Sequence, residues 1–452
     1  MTLSLCIIGY FDVVMSREFS RRNCCRKKSR KRNSCGGKTE RIISLVRERT
    51  VIFLPALKMV LDNGERYYKI NKILLSSLGL WPHRKTRCSR VKLILIDAIF
   101  VYALFVQLCT FSNANCNINL LLEVLSNVLP TLICIVKYNA YYANTITIEL
   151  MMKQIQRDWD TLNDKREIEI LNKYARIMYT CTIALILVTC VCVTIYDFVE
   201  VLPIIFDWLV PLNESRPYHL IMLSEYFVDS EKYFPLILLH ESIAVLVGCL
   251  IILSTGTISL VYMEHLCAIL RIVSFRLEHM LEKSGLQYFN VQTERIICDR
   301  IIRAVNLHRR ALKFFDLFLS NFASSFCIMT VIGVASISIN LFRILVYCNI
   351  KNLSEILLAS TLLLAHFIYM FGANYIGQII INHSENIFHV TYNNILWYTA
   401  PLQSQKMLLF LMYRTTKHIK PIIGKIFVAS LEGFATLSTT SLSYFTVIYS
   451  LR

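Results

Sequence analysis

Seven apolar stretches, each about the 20 residues that cross roughly 30 Å of hydrocarbon, alternate with polar segments along this chain. Its basic residues fall almost wholly on one side of that alternation. The stretches are 93–111, 119–143, 177–197, 234–260, 315–341, 354–376 and 427–449. With the N-terminal region in the cytoplasm, the cytoplasmic segments hold 42 Lys and Arg and the outer segments hold 5. Lys137 lies within the second span, which completes the total of 48. Positive charge stays on the cytoplasmic face during insertion, so the asymmetry predicts an N-terminus inside and a C-terminus outside. The expected fold class is an all-α membrane protein of seven transmembrane helices with long cytoplasmic helical extensions.

The remaining composition agrees with one polytopic domain, since 55% of the 452 residues are hydrophobic and only 13 are Gly and 9 Pro. Residues 1–55 form a basic extension whose densest run is Arg26-Lys27-Lys28-Ser29-Arg30-Lys31-Arg32. It reads as a disordered cytoplasmic tail that touches anionic membrane lipid, with residues 56–452 as the seven-helix domain. The net charge of +17 sits mostly in this tail and the cytoplasmic loops, where insertion already accounts for it, so no nucleic-acid partner is expected. The 16 Cys are scattered without zinc-type pairing and read as small apolar fillers. Only Cys116 and Cys348 fall clearly in outer loops, where a disulfide is permitted but not required.

Between the spans, 144–176 mixes acid and base as a soluble helix does. The outer segment 198–233 carries the sequon Asn213-Glu214-Ser215, which makes Asn213 the expected glycosylation site. Residues 264–314 read as one continuous amphipathic helix with Leu270, Val273, Leu277, Met280 and Leu281 on a single face, and a second helical extension runs from Gly377 to Tyr392. Apolar stripes that project beyond lipid must be buried against each other or against another subunit, so oligomerisation is expected.

No catalytic motif is present, so an enzyme is not expected, and neither is a metal or cofactor. Ionisable residues inside spans are the functional flags. Lys137 lies near the cytoplasmic end of its span, where its stem is expected to snorkel, and Glu123 reads as interfacial. His240 and Glu241 are adjacent and face different sides of their helix; His240 lines a cavity or bonds a neighbouring helix. The last span is unusual in its hydroxyl content. Thr436, Thr440, Ser443, Val447, Ser450 and Leu451 fall within about 100° of one another on a helix of 3.6 residues per turn, and Glu432, Ser438, Thr439, Ser441 and Thr446 add further polarity. Packing between helices is the simpler reading of that stripe. The other reading is a pore-lining helix with an apolar constriction at Val447 and Leu451 that closes by dewetting.

The C-terminal third carries Tyr375-Ile376-Gly377-Gln378, Ser384-Glu385, Tyr392-Asn393, Trp397-Tyr398 with Pro401, Met412-Tyr413-Arg414, Lys420-Pro421, Gly424-Lys425-Ile426-Phe427 and Ser443-Tyr444-Phe445-Thr446-Val447-Ile448-Tyr449. Weaker correspondences are Gly79-Leu80-Trp81-Pro82, His265-Leu266-Cys267 and His308-Arg309-Arg310-Ala311-Leu312. In these residues, over about 65–452, the chain resembles the insect odorant receptor family. It departs from the family where Lys425 is followed by Ile426-Phe427-Val428 instead of Phe-Pro. Ser443, Ser450 and Leu451 stand where the related gustatory receptors carry Thr and Gln-Phe, which favours the odorant branch and leaves a gustatory-receptor-like channel subunit as the alternative.

The resemblance implies a subunit of a tetrameric cation channel in the plasma membrane of an olfactory sensory neuron, with the last helix lining the pore and Val447 and Leu451 at the gate. It also implies a pocket for a small hydrophobic volatile in the outer half of the bundle; residues at that depth are Asn127, Val128, Val193, Tyr196, His240, Ile243 and Leu363. The loop 264–314 lacks the long insertion of the shared co-receptor, so the chain is expected to be a ligand-tuned subunit of a heterotetramer with that co-receptor. A G-protein-coupled receptor would need the opposite orientation, and a transporter would show repeated halves.

The orientation is testable by itself. An epitope at residue 1 is expected to bind antibody only in permeabilised cells and one after Arg452 in intact cells; the reverse staining would overturn the charge argument.

Overall fold

The computed structural model of the chain describes residues 65–82, 87–113, 117–209, 222–229, 232–281, 291–350 and 353–450. The extension 1–55, Cys116, the sequon at Asn213 and Leu451 lie outside the described residues. Residues from Tyr67 onward form one compact unit.

After the short helix α1 (Glu65–Ser77) come α2 (Arg87–Asn113), α3 (Ile118–Ala143), α4 (Thr145–Thr161), α5 (Lys165–Leu209), α6 (Phe234–Glu278), α7 (Val291–Ile350) and α8 (Leu353–His389). A π-helical turn (Val390–Asn394) then leads through α9 (Leu402–Thr415) and the two-residue strands β1 (Ile422–Ile423) and β2 (Phe427–Val428) to α10 (Leu431–Ser450). α2, α3, α5, α6, α7 and α8 are long and apolar enough to cross a membrane, and they carry the first six expected spans. The seventh expected span is α10; its 20 residues are helical, but Ser and Thr side chains keep it out of that apolar set. The C-terminal ends of α2, α5, α7 and α10 and the N-terminal ends of α3, α6 and α8 are here called the distal end.

The extensions at the other end differ from the sequence expectation in one respect. Residues 264–314 are two helices. α6 runs on to Glu278 and α7 begins at Val291, with a turn at His279 and Met280 between them. The two fold together: Tyr262 meets Phe314 and Phe318 edge-on, and Arg300 Nη1 donates to the Met280 carbonyl at 2.6 Å. Leu270, Val273, Leu277 and Met280 are thereby buried within the chain itself. An antiparallel helical hairpin covers an apolar stripe more completely than a single rod would, which is why the break is favoured. The segment 144–176 likewise divides into α4 and the start of α5, tied to α6 by Arg276, whose Nε and Nη2 grip Glu167 at 2.7 and 2.8 Å. α8 carries the expected extension beyond Gly377 to His389.

The entrance to α10 is held by α8. β1 and β2 pair antiparallel, Ile423 opposite Phe427, around a turn in which Gly424 (φ 59°) and Lys425 (φ 60°) are both left-handed, a conformation that glycine adopts without strain. The first amides of α10 need partners from outside the helix. Asn374 Oδ1 accepts from Ser430 N at 3.2 Å and Gln378 Oε1 from Leu431 N at 3.3 Å. Ser430 Oγ accepts from Gly433 N at 3.0 Å as an N-cap. Between those two α8 side chains, Gly377 lets the β2 backbone pass directly over the helix; a Cβ there would collide with the Ala429 carbonyl. Gly377→Ala is therefore expected to destabilise the protein by about 1–3 kcal/mol through overpacking. Gly372→Ala, one turn and a half away with nothing within 4 Å of its added carbon, should be neutral or stabilising; thermal unfolding in detergent compares the two.

Candidate functional site

α10 has two unlike faces. One packs on α7 and α8. Phe434 meets Phe367 and Phe371 edge-on at 5.1 and 5.3 Å, Ser338 Oγ donates to the Ser441 carbonyl at 2.9 Å, and Phe445 and Ile448 join Leu122, Ile339, Phe342 and Val346 in an apolar cluster. The other face is bare. Thr436, Ser443, Val447 and Ser450 are exposed and Thr440 is half-buried; Val447 is 54% exposed. Each hydroxyl proton on this face goes to the helix's own backbone. Thr436 donates to the Glu432 carbonyl at 3.0 Å, Thr440 to Thr436 at 2.8 Å, Ser443 to Thr439 at 3.0 Å and Ser450 to Val447 at 2.8 Å. Their oxygens are left with lone pairs turned outward. Within one chain, then, the stripe is not packing; the hydroxyl residue that does pack is Ser441, which is buried.

Behind the packed face lies a charged network at the distal end. The guanidinium of Arg343, 3% exposed, donates from Nη1 to Ser126 Oγ and from Nη2 to Glu355 Oε2, both at 2.7 Å, with Glu123 at 3.9 Å. Ser126 Oγ donates to Asn340 Oδ1 at 2.8 Å, and Tyr347 OH to Glu123 Oε2 at 3.1 Å. α3, α7 and the start of α8 are thus joined through one cation that sits next to Phe342, which packs on α10.

A second polar region fills the distal half of the bundle between α2, α3, α5 and α6. The loop 222–229 folds into it: Glu225 N donates to the Val106 carbonyl at 3.0 Å, Ser224 Oγ donates to Glu241 Oε1 at 2.6 Å, and Tyr226 OH meets His240 Nδ1 at 2.8 Å. Gln107 of α2 bonds Thr131 of α3 at 3.5 Å and Met222 Sδ at 3.9 Å. Asn127 is 2% exposed, Val128 6% and Glu241 4%. Tyr196 shares its surroundings with the carboxylates of Glu200 and Glu241. Among the ligand candidates, Asn127, Val128, Tyr196 and His240 come into this region. Val193 and Leu363 are half-buried, and Ile243, 40% exposed, turns nearly opposite Glu241 because two residues on a helix are 200° apart. Glu200 is buried here and was not anticipated from the sequence.

The family sequence pattern described as 7tm Odorant receptor matches residues 117–442. The chain belongs to the 7tm Odorant receptor family. Solved relatives agree with that assignment in fold. The insect olfactory receptor OR5 from Machilis hrabei in complex with eugenol superposes with a TM-score of 0.69 at 13% identity, covering 86% of this chain and 98% of that one. The same receptor without mention of a ligand gives 0.64 over the same coverage. No curated protein matches the chain. As a family member with six long apolar helices among the described residues, it is a multi-pass membrane protein.

In this odorant receptor the buried charges are where sequence reading went astray. Lys137 does not snorkel. Its side chain is 1% exposed, its Nζ donates to Tyr369 OH at 2.6 Å and lies 4.5 Å from the centre of that ring, so a cation–π contact replaces water. Glu123, read as interfacial, and Arg343, counted as a loop charge, are partners in space. No spacing in the sequence links positions 123, 343 and 355; only the approach of three helices does. Because Arg343 is more deeply buried than Glu355, removing the acid should hurt more than removing the base. Glu355→Leu leaves the buried guanidinium with Ser126 and only the more distant carboxylate of Glu123 and is expected to destabilise by about 3 kcal/mol, Arg343→Met by roughly 1–2 kcal/mol, measured as thermal unfolding of the purified receptor.

Proposed function

We propose that this chain is the odorant-binding subunit of a heteromeric ligand-gated cation channel in the plasma membrane of olfactory neurons, oriented with its N-terminus in the cytoplasm. One observation carries the reading: α10 packs on α7 and α8 with one face and presents Thr436, Ser443, Val447 and Ser450 on the other, uncovered by the chain. A helix this rich in hydroxyls is unfavourable against lipid and suited to water. Copies of it around a common axis would line an aqueous path with outward oxygen lone pairs that favour cations, and Val447 and Leu451 would form the apolar constriction at its distal end.

The polar region around Asn127, Val128, Tyr196 and His240 is the proposed odorant pocket, with Val193, Ile243 and Leu363 as further lining candidates. It lies in the distal half, which the charge asymmetry places outside. The relative from Machilis hrabei in complex with eugenol supports a small volatile as ligand. Asn213 is the proposed glycosylation site on the outer segment, and the odorant receptor co-receptor is the proposed partner that completes the tetramer.

Two measurements test this. Expressed alone, the chain should give little odorant-evoked current, and robust current without a co-receptor would show a self-sufficient homomer. Expressed with it, Val447→Ser combined with Leu451→Ser should raise basal current and alter ion selectivity, because a hydroxyl holds water where a methyl does not. Ser438→Ala is the control, since Ser438 is half-buried toward the packed side and donates to Phe434. Wild-type basal current and permeability ratios in a double variant that reaches the surface would overturn the gate.

A further inference from the structure

Residues 67–92, where α1 leads into α2, contain seven Lys and Arg and no Asp or Glu. One of the seven is used by the fold. Lys92 Nζ donates to the Ser76 and Ser77 carbonyls at 3.0 and 3.1 Å, and Ser89 Oγ donates to the Gly79 carbonyl at 3.0 Å, so the start of α2 is tied to the end of α1. Lys72 Nζ lies 5.7 Å from the centre of the Trp81 ring. Arg87 and Arg90 are exposed, and among the described residues neither side chain has a hydrogen-bond or ion-pair partner. The first carboxylate along α2, Asp97, accepts instead from Asn139 Nδ2 at 3.0 Å.

Arg87 stands at the head of an apolar groove. Val91, Ile94, Leu95, Ala98, Tyr102 and His240 line a cavity of about 580 Å³, and the first three are 61%, 68% and 59% exposed. At 3.6 residues per turn, Arg87, Val91, Ile94, Ala98 and Tyr102 fall within about 80° of one another, with Arg90 about 60° to the side of Arg87. Charge and groove therefore share one stripe of α2. From Val91 to Tyr102 the helix rises about 16 Å, close to the roughly 15 Å that is half of the hydrocarbon layer. The inner end is closed by the rings of Tyr102 and His240, which meet edge-on at 4.9 Å, and His240 Nδ1 is already held by Tyr226 OH at 2.8 Å. The groove thus offers one leaflet's depth of apolar surface with an unpaired pair of cations at its mouth.

We propose that Arg87, Arg90 and this groove bind one anionic glycerophospholipid, its phosphate and acidic head at the two guanidinium groups and one acyl chain along residues 91–102. The inference goes beyond the channel reading and takes from it only the orientation, which puts the site in the cytoplasmic leaflet, where anionic lipid is concentrated. Charge selects the head, since guanidinium groups without carboxylate partners pair bidentately with phosphate and carry no acid to hold a choline. Length selects a lipid over a soluble phosphate, because only an acyl chain covers the exposed Val91, Ile94 and Leu95.

Native mass spectrometry of the purified full chain in detergent tests the site, with dioleoylphosphatidylserine and dioleoylphosphatidylcholine as probes and glycerophosphoserine as the chain-free head, each read on folded charge states only. The serine lipid should bind at least about tenfold more tightly than either the choline lipid or glycerophosphoserine. Arg87→Gln with Arg90→Gln should weaken the serine lipid by about tenfold to thirtyfold and bring it near the choline lipid. Arg303→Gln with Arg309→Gln, an equal loss of exposed charge on α7, should leave the preference in place. Ala98→Phe puts a ring into the groove and should weaken both lipids while leaving glycerophosphoserine unchanged. Equal affinity for the two lipids, an equal loss in the α7 pair, a chain-free head that binds as tightly as its lipid, or lipid binding untouched by Ala98→Phe would overturn the site. So would cross-linking of Leu95→Cys to a second copy in membranes, which would put protein over the groove. No current is recorded, so failure here leaves the channel reading standing, and selective lipid binding by a chain that never conducts would refute that reading alone.

Discussion

Hydrocarbon offers no hydrogen bonds, so every polar group that a helix carries into it must be answered by the protein. Much of this fold follows from that constraint. Lys137 is answered by Tyr369, Arg343 by Glu355 and Ser126, and the first amides of α10 by Asn374, Gln378 and Ser430. Apart from the Ser430 cap, which is α10's own, each answer comes from a helix other than the one that carries the group, so each also fixes where the two helices stand. The bundle is held in register by its polar residues as much as by its apolar ones, which pack almost as readily against lipid.

The same accounting separates groups that build from groups that act. Arg343, Ser126 and Asn340 bond one another within the distal end and serve the frame. Among the described residues, Asn127 and Glu241 are buried with unpaired side-chain atoms, and the hydroxyl face of α10 turns its oxygens away from the chain. Ser126 and Asn127 are neighbours on α3: one is tied to Arg343, beside the cluster that supports Phe445 and Ile448 of α10, and the other is buried with its amide unpaired among the described residues.

The spans were legible in the sequence because hydropathy is a local property; six of the seven stretches recur as long apolar helices and the seventh as α10. Gly377 stood out only through its resemblance, and its reason, the passage of the Ala429 carbonyl across α8, is purely three-dimensional. The break after Glu278 was missed since the apolar period continues through it, and a periodic pattern does not say whether a stripe is covered by a second helix or by the chain folding back. Lys137 was assigned to the nearest water because that is the cheapest fate for an isolated charge, whereas the fold supplied Tyr369 as its partner.

The sequence by itself determined how many times the chain alternates between apolar and polar segments, which side its positive charge favours and which helix is too hydrophilic for lipid, since each of these depends on residues near one another along the chain. Only the tertiary structure decided that the hydroxyl stripe of α10 is the uncovered face and Ser441 the packed one, that Arg343 joins three helices, and that Lys137 meets Tyr369. Those facts depend on the rotation and register of one helix against another, which are set by contacts between residues more than a hundred positions apart, such as Cys134 with Gly248 and Ser338 with Ser441.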